Sequence, residues 1–290
     1  MNRMRSLLAS LLFALGTAVV GTVAAQAPLG REVAPGVRDV ALPDGGRYVG
    51  TLKGDLYHGR GILTGPGFRY EGGFVDGLKS GHGAYLWANG DRYEGQFADD
   101  RPHGRGRFAF ANGDVFEGEM KAGAIGAYGA YHAANGDAYE GGFAAGRPDG
   151  RGTYRFRSGE RYEGEMRAGR IEGRGRYTMA NGDVIDGIFR DGRAHGPGAV
   201  AFANGDRYEG DLAEGEIRGR GTFLYAAGPR YDGSVRQGRP EGPGVLRLPD
   251  GSRFEGDFQG DPGRALGAVV RPDGLRVPAR LVDGALAPPE

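Results

Sequence analysis

Residues 91–114, DRYEGQFADDRPHGRGRFAFANGD, contain one complete copy of a unit that recurs along the chain every 23 residues. The unit begins with an aromatic residue that is followed two positions later by glycine, as in Tyr93 and Gly95. The leading aromatic residues in this frame are Tyr70, Tyr93, Phe116, Tyr139, Tyr162, Tyr208, Tyr231 and Phe254. Ile185 replaces the ring once, and Tyr48 stands one position out of frame. A fixed period of this length is typical of a repeat architecture, and we count about ten tandem units.

The composition is unusual for a compact globular core, because 59 of the 290 residues are glycine and the formal net charge is zero. A constant aromatic frame indicates ordered repeats rather than glycine-rich disorder. The balanced charge argues against nucleic-acid binding, since neutralising phosphates requires an excess of Lys and Arg. The chain has no cysteine, so disulfides cannot contribute to its stability.

The N-terminus has the form of a secretory signal peptide. Arg3 and Arg5 precede a mostly apolar run from Leu7 to Val23, and small residues lead up to Gln26. We therefore expect export by a Sec-type signal, with residues 1–25 removed and the mature protein periplasmic, envelope-associated or secreted. The alternative is that this apolar run, of about 17 residues, stays as an uncleaved anchor.

The remaining boundaries follow from where the period begins and ends. A stretch with three prolines and no periodicity predicts an extended linker over residues 26–44. The repeats are expected over residues 45–274. Residues 275–290 are expected to form a degenerate strand that caps the array, followed by a frayed C-terminal tail.

Each unit contains two short stretches in which side chains alternate with period two, and this pattern predicts two β-strands. Connections rich in Gly, Asn and Asp follow each strand, so neighbouring strands should pair antiparallel. The register predicted on this basis has the pairs Tyr70–Trp87, Gly72–Tyr85 and Phe74–Gly83, and then Trp87–Tyr93, Tyr85–Gly95 and Gly83–Phe97. The predicted fold is all-β: an elongated, twisted, single-layer antiparallel sheet of about ten tandem β-hairpins.

Large rings and glycines share one face of the predicted sheet. A side chain at a recurring glycine would collide with a neighbouring ring, so we expect the two residue types to form the repeat packing. Its members in the first repeats are Tyr70, Gly72, Phe74, Gly83, Tyr85, Trp87, Tyr93, Gly95, Phe97, Gly106 and Phe108. A single layer also leaves ring area exposed, which could bind an apolar protein patch or a sugar face.

The opposite face alternates arginine with a carboxylate, as at Arg92 and Glu94, which indicates a solvated surface that neutralises its own charge. The turns within the units are expected to form an arginine-rich edge able to contact phosphate or anionic lipid. The residues of this predicted edge are Arg101, Arg105, Arg107, Arg147, Arg151, Arg170, Arg174, Arg218 and Arg220.

The sequence offers no constellation for catalysis or metal binding. His58, His103 and His195 occupy equivalent positions in separate repeats, too far apart to share a metal ion. The carboxylates are interchangeable copies on an exposed face, and nothing raises the pKa of one above the others. We therefore expect no enzyme activity, no metal and no cofactor.

These features resemble the MORN repeat family, whose unit is similar to Tyr-Glu-Gly followed by Gly-x-x-x-Gly-x-Gly, an aromatic pair and Asn-Gly. The copy over residues 93–114 fits this pattern well. The departures are Asp100 and Asp261 at one turn glycine, Ala127 and Ala265 at another, and Ile185 for the leading ring. In proteins of this family the repeats are associated with protein scaffolding, self-association and contact with membrane lipid.

The sequence thus favours an exported, non-enzymatic scaffold of the cell envelope. Its expected partner is an envelope protein or a second copy of the chain, bound through the aromatic face or the terminal strands. The alternative is an envelope module that binds anionic lipid or glycan through the arginine-rich edge or the aromatic face.

Overall fold

The computed structural model of the protein describes residues 30–260, 264–282 and 285–288. The signal peptide expected over residues 1–25 lies outside these residues. The described chain divides into two compact units, the first ending at Arg157 and the second beginning at Ser158. Every regular element in it is a β-strand, and it contains no helix with the length and apolar character needed to cross a membrane.

In the first unit, each strand pairs antiparallel with the next along the chain. The strands are β1 (Arg31–Ala34), β2 (Val37–Ala41), β3 (Arg47–Lys53), β4 (Leu56–Gly65), β5 (Phe68–Val75), β6 (Leu78–Trp87), β7 (Arg92–Ala98), β8 (Arg101–Ala109), β9 (Val115–Lys121), β10 (Ala124–His132), β11 (Ala138–Ala144) and β12 (Arg147–Arg155).

The second unit repeats this arrangement, again with consecutive antiparallel pairing. Its strands are β13 (Arg161–Arg167), β14 (Arg170–Thr178), β15 (Val184–Arg190), β16 (Arg193–Ala201), β17 (Arg207–Ala213), β18 (Glu216–Leu224), β19 (Arg230–Arg236), β20 (Arg239–Arg247), β21 (Arg253–Gln259), β22 (Ala265–Val270), β23 (Arg276–Val282) and β24 (Ala285–Ala287). The prediction of antiparallel β-hairpins is confirmed.

Most hairpins close with a two-residue turn in which both residues have a positive φ. In the β5–β6 turn these are Asp76, at 47°, and Gly77, at 89°. Such turns match the twist of the strands they join, and glycine adopts the required backbone without strain. The β7–β8 turn differs, because Asp100 holds a φ of 67° where the other turns have glycine.

The predicted register was wrong by two residues. The observed pairs are Tyr70–Tyr85 and Gly72–Gly83, and across the next connection Tyr85–Tyr93 and Gly83–Gly95. Because side chains alternate with period two, a slip of two residues keeps every side chain on its predicted face. The two-residue turn and a shift in pairing between Gly72 and Phe74, which brings Phe74 opposite Lys79, set the true register.

Glycines therefore face one another across neighbouring strands and form a row through each unit. The row contains Gly50, Gly61, Gly72, Gly83, Gly95, Gly106, Gly118, Gly129, Gly141 and Gly152 in the first unit, and Gly164, Gly175, Gly187, Gly198, Gly210, Gly221, Gly233, Gly244, Gly256 and Gly267 in the second.

The leading ring of a hairpin covers two glycines of this row. A Cβ on Gly72 would lie 2.4 Å from the Tyr70 hydroxyl, and one on Gly83 would lie 2.5 Å from it. Tyr70 is fully buried, with Phe74 and Phe97 in edge contact at centroid distances of 5.1 and 5.0 Å. The core of each unit is therefore one layer of rings packed over glycine backbone.

The tyrosine hydroxyl has a structural role at the shift in pairing. Tyr70 donates to the carbonyl of Gly73 at 2.9 Å, beside the point where the ladder is interrupted. Equivalent bonds, each to the carbonyl three residues ahead, are made by Tyr48, Tyr93, Tyr139, Tyr162, Tyr208 and Tyr231. A buried carbonyl left without a donor would be costly, which explains tyrosine rather than phenylalanine at most leading positions.

Part of the linker predicted over residues 26–44 is instead folded. Strands β1 and β2 form a hairpin, and β2 pairs with β3 from Val37 to Ala41. Pro35 lies in the turn of this hairpin, directly before the turn glycine Gly36, rather than in an extended spacer. At the C-terminus, β23 pairs with β22 and β24 with β23.

Candidate functional site

The leading rings are unavailable to a partner, because packing over the glycines removes them from solvent. The fully buried rings are Tyr48, Tyr70, Tyr93, Phe116, Tyr139, Tyr162, Tyr208, Tyr231 and Phe254. Any binding through the aromatic face must therefore use other side chains.

A second set of large apolar side chains lies where each hairpin enters the next connecting loop. Each stands two positions after the last residue of a packing layer, which is buried in every case except Leu246. They therefore share the aromatic face, but they are only half-buried. We call this set the loop-side row. Its members are Trp87, Phe110 and Phe156 in the first unit and Met179, Phe202, Tyr225 and Leu248 in the second.

In the first unit the loop-side row joins a continuous stack of rings. Phe68 lies on Tyr85 at 5.4 Å, Tyr85 contacts Trp87 at 4.3 Å, and Trp87 lies on Phe108 at 5.2 Å. Phe108 in turn stacks on Phe110 at 4.3 Å. Tyr85 and Phe108 are buried, whereas Phe68, Trp87 and Phe110 keep part of their rings exposed. The stack is a rigid apolar surface with partly solvated rings.

The loops beside this row are tied to one another by their aspartates. Asp91 accepts a hydrogen bond from the Asn89 side chain at 2.8 Å and donates its own amide to Asn89 at 3.0 Å. Its second oxygen accepts the amide of Ala111, in the next loop, at 2.8 Å. The same loop-to-loop bond joins Asp114 to Ala134, Asp137 to Arg157, Asp183 to Ala203 and Asp206 to Ala226. The sequence had indicated only turns here.

Asp114 shows how these loop-to-loop hydrogen bonds affect the ionisation of an aspartate carboxyl. Burial raises the pKa of its carboxyl, but hydrogen bonds from Tyr131, the Ala134 amide and Asn112 outweigh burial and lower the pKa below its ordinary value. The Tyr131 hydroxyl donates to this carboxylate at 2.5 Å. Asp114 is therefore a charged structural acceptor at neutral pH, not an acid poised to transfer a proton.

Six of the nine arginines predicted to lie in turns along one edge lie within strands instead. Arg105 and Arg107 lie within strand β8 rather than in a turn, and Arg151, Arg174, Arg218 and Arg220 likewise lie within strands. Arg101, Arg147 and Arg170 are the first residues after their turns. Arg107 pairs with Glu117 at 2.9 Å and Arg170 with Asp191 at 2.8 Å. The prediction placed them together because it made the turns too long.

Many charged side chains on the opposite face pair with one another. Arg69 contacts Glu71 at 2.8 Å and Arg92 contacts Glu94 at 3.0 Å, each pair lying along one strand. Similar pairs are Arg161–Glu163, Arg176–Asp186, Arg230–Asp232 and Arg253–Glu255. Among the described residues no three His, Cys, Asp or Glu side chains converge on a metal site.

A groove of about 720 Å³ lies on the charged face of the second unit. Its lining includes Arg220, Asp232, Glu255 and Arg276 over a floor of four glycines. Glu255 accepts from Arg276 at 2.8 Å, and Arg230 holds Asp232 at 2.9 Å. Since both carboxylates are already engaged by arginine, the groove does not present a free acid or base.

Lys79 and Asp100 form a buried charge pair that the sequence did not reveal. Lys79 is 2% exposed, and its ammonium lies 3.3 Å from the Asp100 carboxylate. The same carboxylate accepts the Lys79 amide at 2.9 Å. The ammonium also lies 5.7 Å from the centroids of the Tyr70 and Tyr85 rings. The signal was present as two departures, a lysine at a core position and an aspartate at a turn glycine.

Comparison with known protein families and structures identifies the repeat. The profile of the MORN repeat matches residues 48–67, 70–92, 93–115, 139–161, 162–184, 186–207, 208–230 and 231–253. The unmatched unit that begins at Phe116 forms the same type of hairpin, β9–β10. No curated protein matches the chain significantly.

Two solved structures show a weak likeness to the chain. The SAS-4 (dCPAP) TCP domain of Drosophila melanogaster, solved with a proline-rich motif of Ana2 (dSTIL), is 16% identical and covers 54% of this chain and 85% of its own, with a TM-score of 0.35. The G-box domain of the microcephaly protein CPAP is 16% identical and covers 72% of this chain and 100% of its own, with a TM-score of 0.41. These scores are too low to indicate a shared function.

The eight matched segments make up more than half of the chain and coincide with the ring-over-glycine hairpins. Repeats of this type are generally scaffolds for protein or membrane interaction and are typically not enzymatic. The chain therefore belongs to the MORN repeat family.

Proposed function

We propose that this protein is an exported, non-enzymatic scaffold that binds a partner protein of the cell envelope through the loop-side row. The observation that supports this site is the ring stack from Phe68 to Phe110, whose end members and Trp87 keep partly exposed rings. Rigid aromatic side chains bind with little loss of conformational entropy, which makes them effective interface anchors.

The charges beside the row favour a protein partner over an anionic membrane. The loops next to the rings carry the partly exposed carboxylates of Asp91, Asp183 and Asp206. Carboxylates repel anionic headgroups, whereas an apolar segment flanked by Lys or Arg complements both the rings and the loops. The arginines that could contact lipid are spread over the strands, and two of them, Arg107 and Arg170, are ion-paired.

The outermost strands that the structure describes are poor sites for pairing with a second copy. Pro278 lies in strand β23 and has no amide to donate to an added strand. Short β24 covers the end of β23 from Arg280 to Val282. Strand β1 has only four residues, of which Arg31 and Glu32 are charged. These features commonly protect sheet edges against association, so the aromatic face is the better candidate surface.

Site-specific photocrosslinking in cells tests this proposal. A photoreactive phenylalanine analogue would replace Phe110 in the loop-side row or, as a matched control, the outward-facing Leu86, which is 45% exposed. We expect a recurrent adduct with one envelope protein from position 110, lost when Trp87 is changed to Ala. Adducts equal from both positions, adducts only between copies of this chain, or none at position 110 would each overturn the proposal.

Export rests on the N-terminal sequence and has its own test. The intact mass of the protein recovered from the cell envelope should correspond to a chain that begins at Gln26. A full-length mass in the envelope would indicate a retained anchor, and recovery in the cytoplasm would contradict export.

A further inference from the structure

Two positions of the repeat meet wherever one hairpin follows another. The first position is held by the residue paired with Phe74, or with its equivalent in another hairpin; in β5–β6 it is Lys79. The other position is held by the second turn residue of the following hairpin; in β7–β8 it is Asp100. The amide at the second position donates to the carbonyl at the first, as from Gly77 to Tyr57 at 2.8 Å. The same bond joins Asp100 to Lys79, Gly123 to Pro102, Gly192 to Ile171, Gly215 to Ala194, Gly238 to Ile217 and Gly260 to Pro240.

In the described repeats from β5 onward, the first position is apolar and the second is glycine, except at one junction. The first position is apolar in the other hairpins: Tyr57, Pro102, Ile125, Pro148, Ile171, Ala194, Ile217, Pro240 and Ala265. From the β5–β6 turn onward the second position is otherwise glycine: Gly77, Gly123, Gly146, Gly169, Gly192, Gly215, Gly238 and Gly260. In the earlier β3–β4 turn the glycine, Gly54, comes first and Asp55 second. Lys79 and Asp100 are both exceptions, and they meet each other across the same junction.

Both exceptions are unfavourable in isolation. Lys79 is removed from water, and a buried ammonium without a partner is strongly destabilising. Asp100 adopts a left-handed backbone that glycine would adopt more easily. Each residue is compensated by the other, through the ion pair and the bond from the Lys79 amide to the Asp100 carboxylate.

We propose that Lys79 and Asp100 fix the order in which the hairpins pack. Repeats that present the same side chains can pair one unit out of order, because a slip of 23 residues keeps rings over glycines. At a slipped junction Lys79 would face a glycine and remain buried without a carboxylate. The buried loop aspartates Asp114 and Asp137 cannot make this distinction, since the same loop position carries aspartate in several repeats.

The junction has a built-in spectroscopic reporter. Trp87 is the only tryptophan of the chain, and it contacts Tyr85, whose ring also lies over the Lys79 ammonium. A hairpin other than β7–β8 packed at this position would change the surroundings of Trp87. Its fluorescence therefore distinguishes the correct junction from a slipped one in otherwise folded protein.

The test compares Lys79→Ile, Asp100→Gly and the double variant, which restores the residues typical of the other repeats. Each single variant should unfold at lower urea concentration, Asp100→Gly included, although glycine suits the turn better. The double variant should recover most of this loss in stability. On refolding from urea, however, it should give a lower yield of the native species, with swapped oligomers and a second Trp87 emission component.

Ile171→Val, at the position equivalent to Lys79 in another hairpin, serves as the control and should refold with the wild-type yield. The proposal is overturned if the double variant refolds with wild-type yield and a single wild-type emission spectrum. It is also overturned if Asp100→Gly alone is as stable as the wild type, because Lys79 would then not depend on its partner.

Discussion

Two neighbouring hairpins of the second unit differ in one leading residue. In β13–β14, the ring of Tyr162 covers Gly164 and Gly175, and a Cβ on Gly164 would lie 2.4 Å from the tyrosine hydroxyl and 2.5 Å from the Cα of Gly175. In β15–β16, Ile185 replaces the ring, and a Cβ on Gly187 would meet no atom closer than 3.7 Å. The difference shows that the ring and the tight glycine contact, rather than the strand itself, exclude a side chain.

The largest effect should come from adding a methyl group at the equivalent glycine of each hairpin. Neither glycine has a left-handed φ, so the comparison isolates packing. We expect Gly164→Ala to lower the free energy of unfolding by about 3 kcal/mol, as in an overpacked core. Gly187→Ala should change it by no more than about 1 kcal/mol, with a favourable contribution from the unfolded chain. Urea denaturation measures both, and equal losses would refute the role of the ring.

A somewhat smaller effect should appear as coupling between ring and glycine. Tyr162→Ile gives the β13–β14 hairpin the residue found in β15–β16. It removes the tyrosine hydroxyl that would lie 2.4 Å from a Cβ at position 164 and leaves the backbone of Gly175 in place. In that background Gly164→Ala should cost about 2 kcal/mol less than in the wild type, which a double-mutant cycle measures directly. If the free-energy changes of the two substitutions are additive, the backbone of Gly175, and not the ring, excludes a side chain at position 164.

Removing only the hydroxyl should have a smaller effect again. Tyr162 donates to the carbonyl of Glu165 at 2.9 Å, a bond that Ile185 cannot make. Tyr162→Phe should lower the free energy of unfolding by about 1 kcal/mol. Tyr128→Phe, at a ring that is 55% exposed, provides the control and should remain within about 0.5 kcal/mol of the wild type. If Tyr162→Phe lowers the free energy of unfolding no more than the control does, water replaces the lost hydrogen bond.

The last effect is electrostatic. It leaves the free energy of unfolding unchanged at neutral pH and appears only in alkaline solution. Burial raises the pKa of Tyr208 and of Tyr231 from 10.0 to about 12. The neutral phenols therefore contribute stability that is complete below pH 10 and is lost as pH rises towards 12. Amide exchange, corrected for intrinsic rates, should increase in β17–β18 before β15–β16, where Ile185 cannot ionise. Simultaneous loss in both hairpins would indicate one cooperative transition instead.

The fold class follows from the sequence because the period of 23 residues and the alternation of side chains are both local signals. The register does not, because the pattern is unchanged by a two-residue slip. What decides it is the turn at Asp76 and Gly77 and the shift in pairing after Gly72. Both depend on backbone geometry that the alternation does not encode.

The candidate site was only partly predictable. Trp87 belonged to the expected aromatic face, but its half-buried state depends on how Tyr85 and Phe108 pack against it. Lys79 and Asp100 are 21 residues apart, and only the junction between hairpins brings them together. The arginines were misplaced for a simpler reason, because glycines within strands, such as Gly104 and Gly106, resemble those of turns.

The consecutive pairing of strands within each unit has a mechanical consequence. Among the described residues, each hairpin pairs with its predecessor and its successor, so a force applied to the two ends of a unit reaches the ladder hydrogen bonds one strand at a time. The hairpins should then peel away in succession at low force rather than resist together in shear. Such a chain could lengthen stepwise under load and keep its remaining hairpins folded, which is the behaviour of an extensible tether.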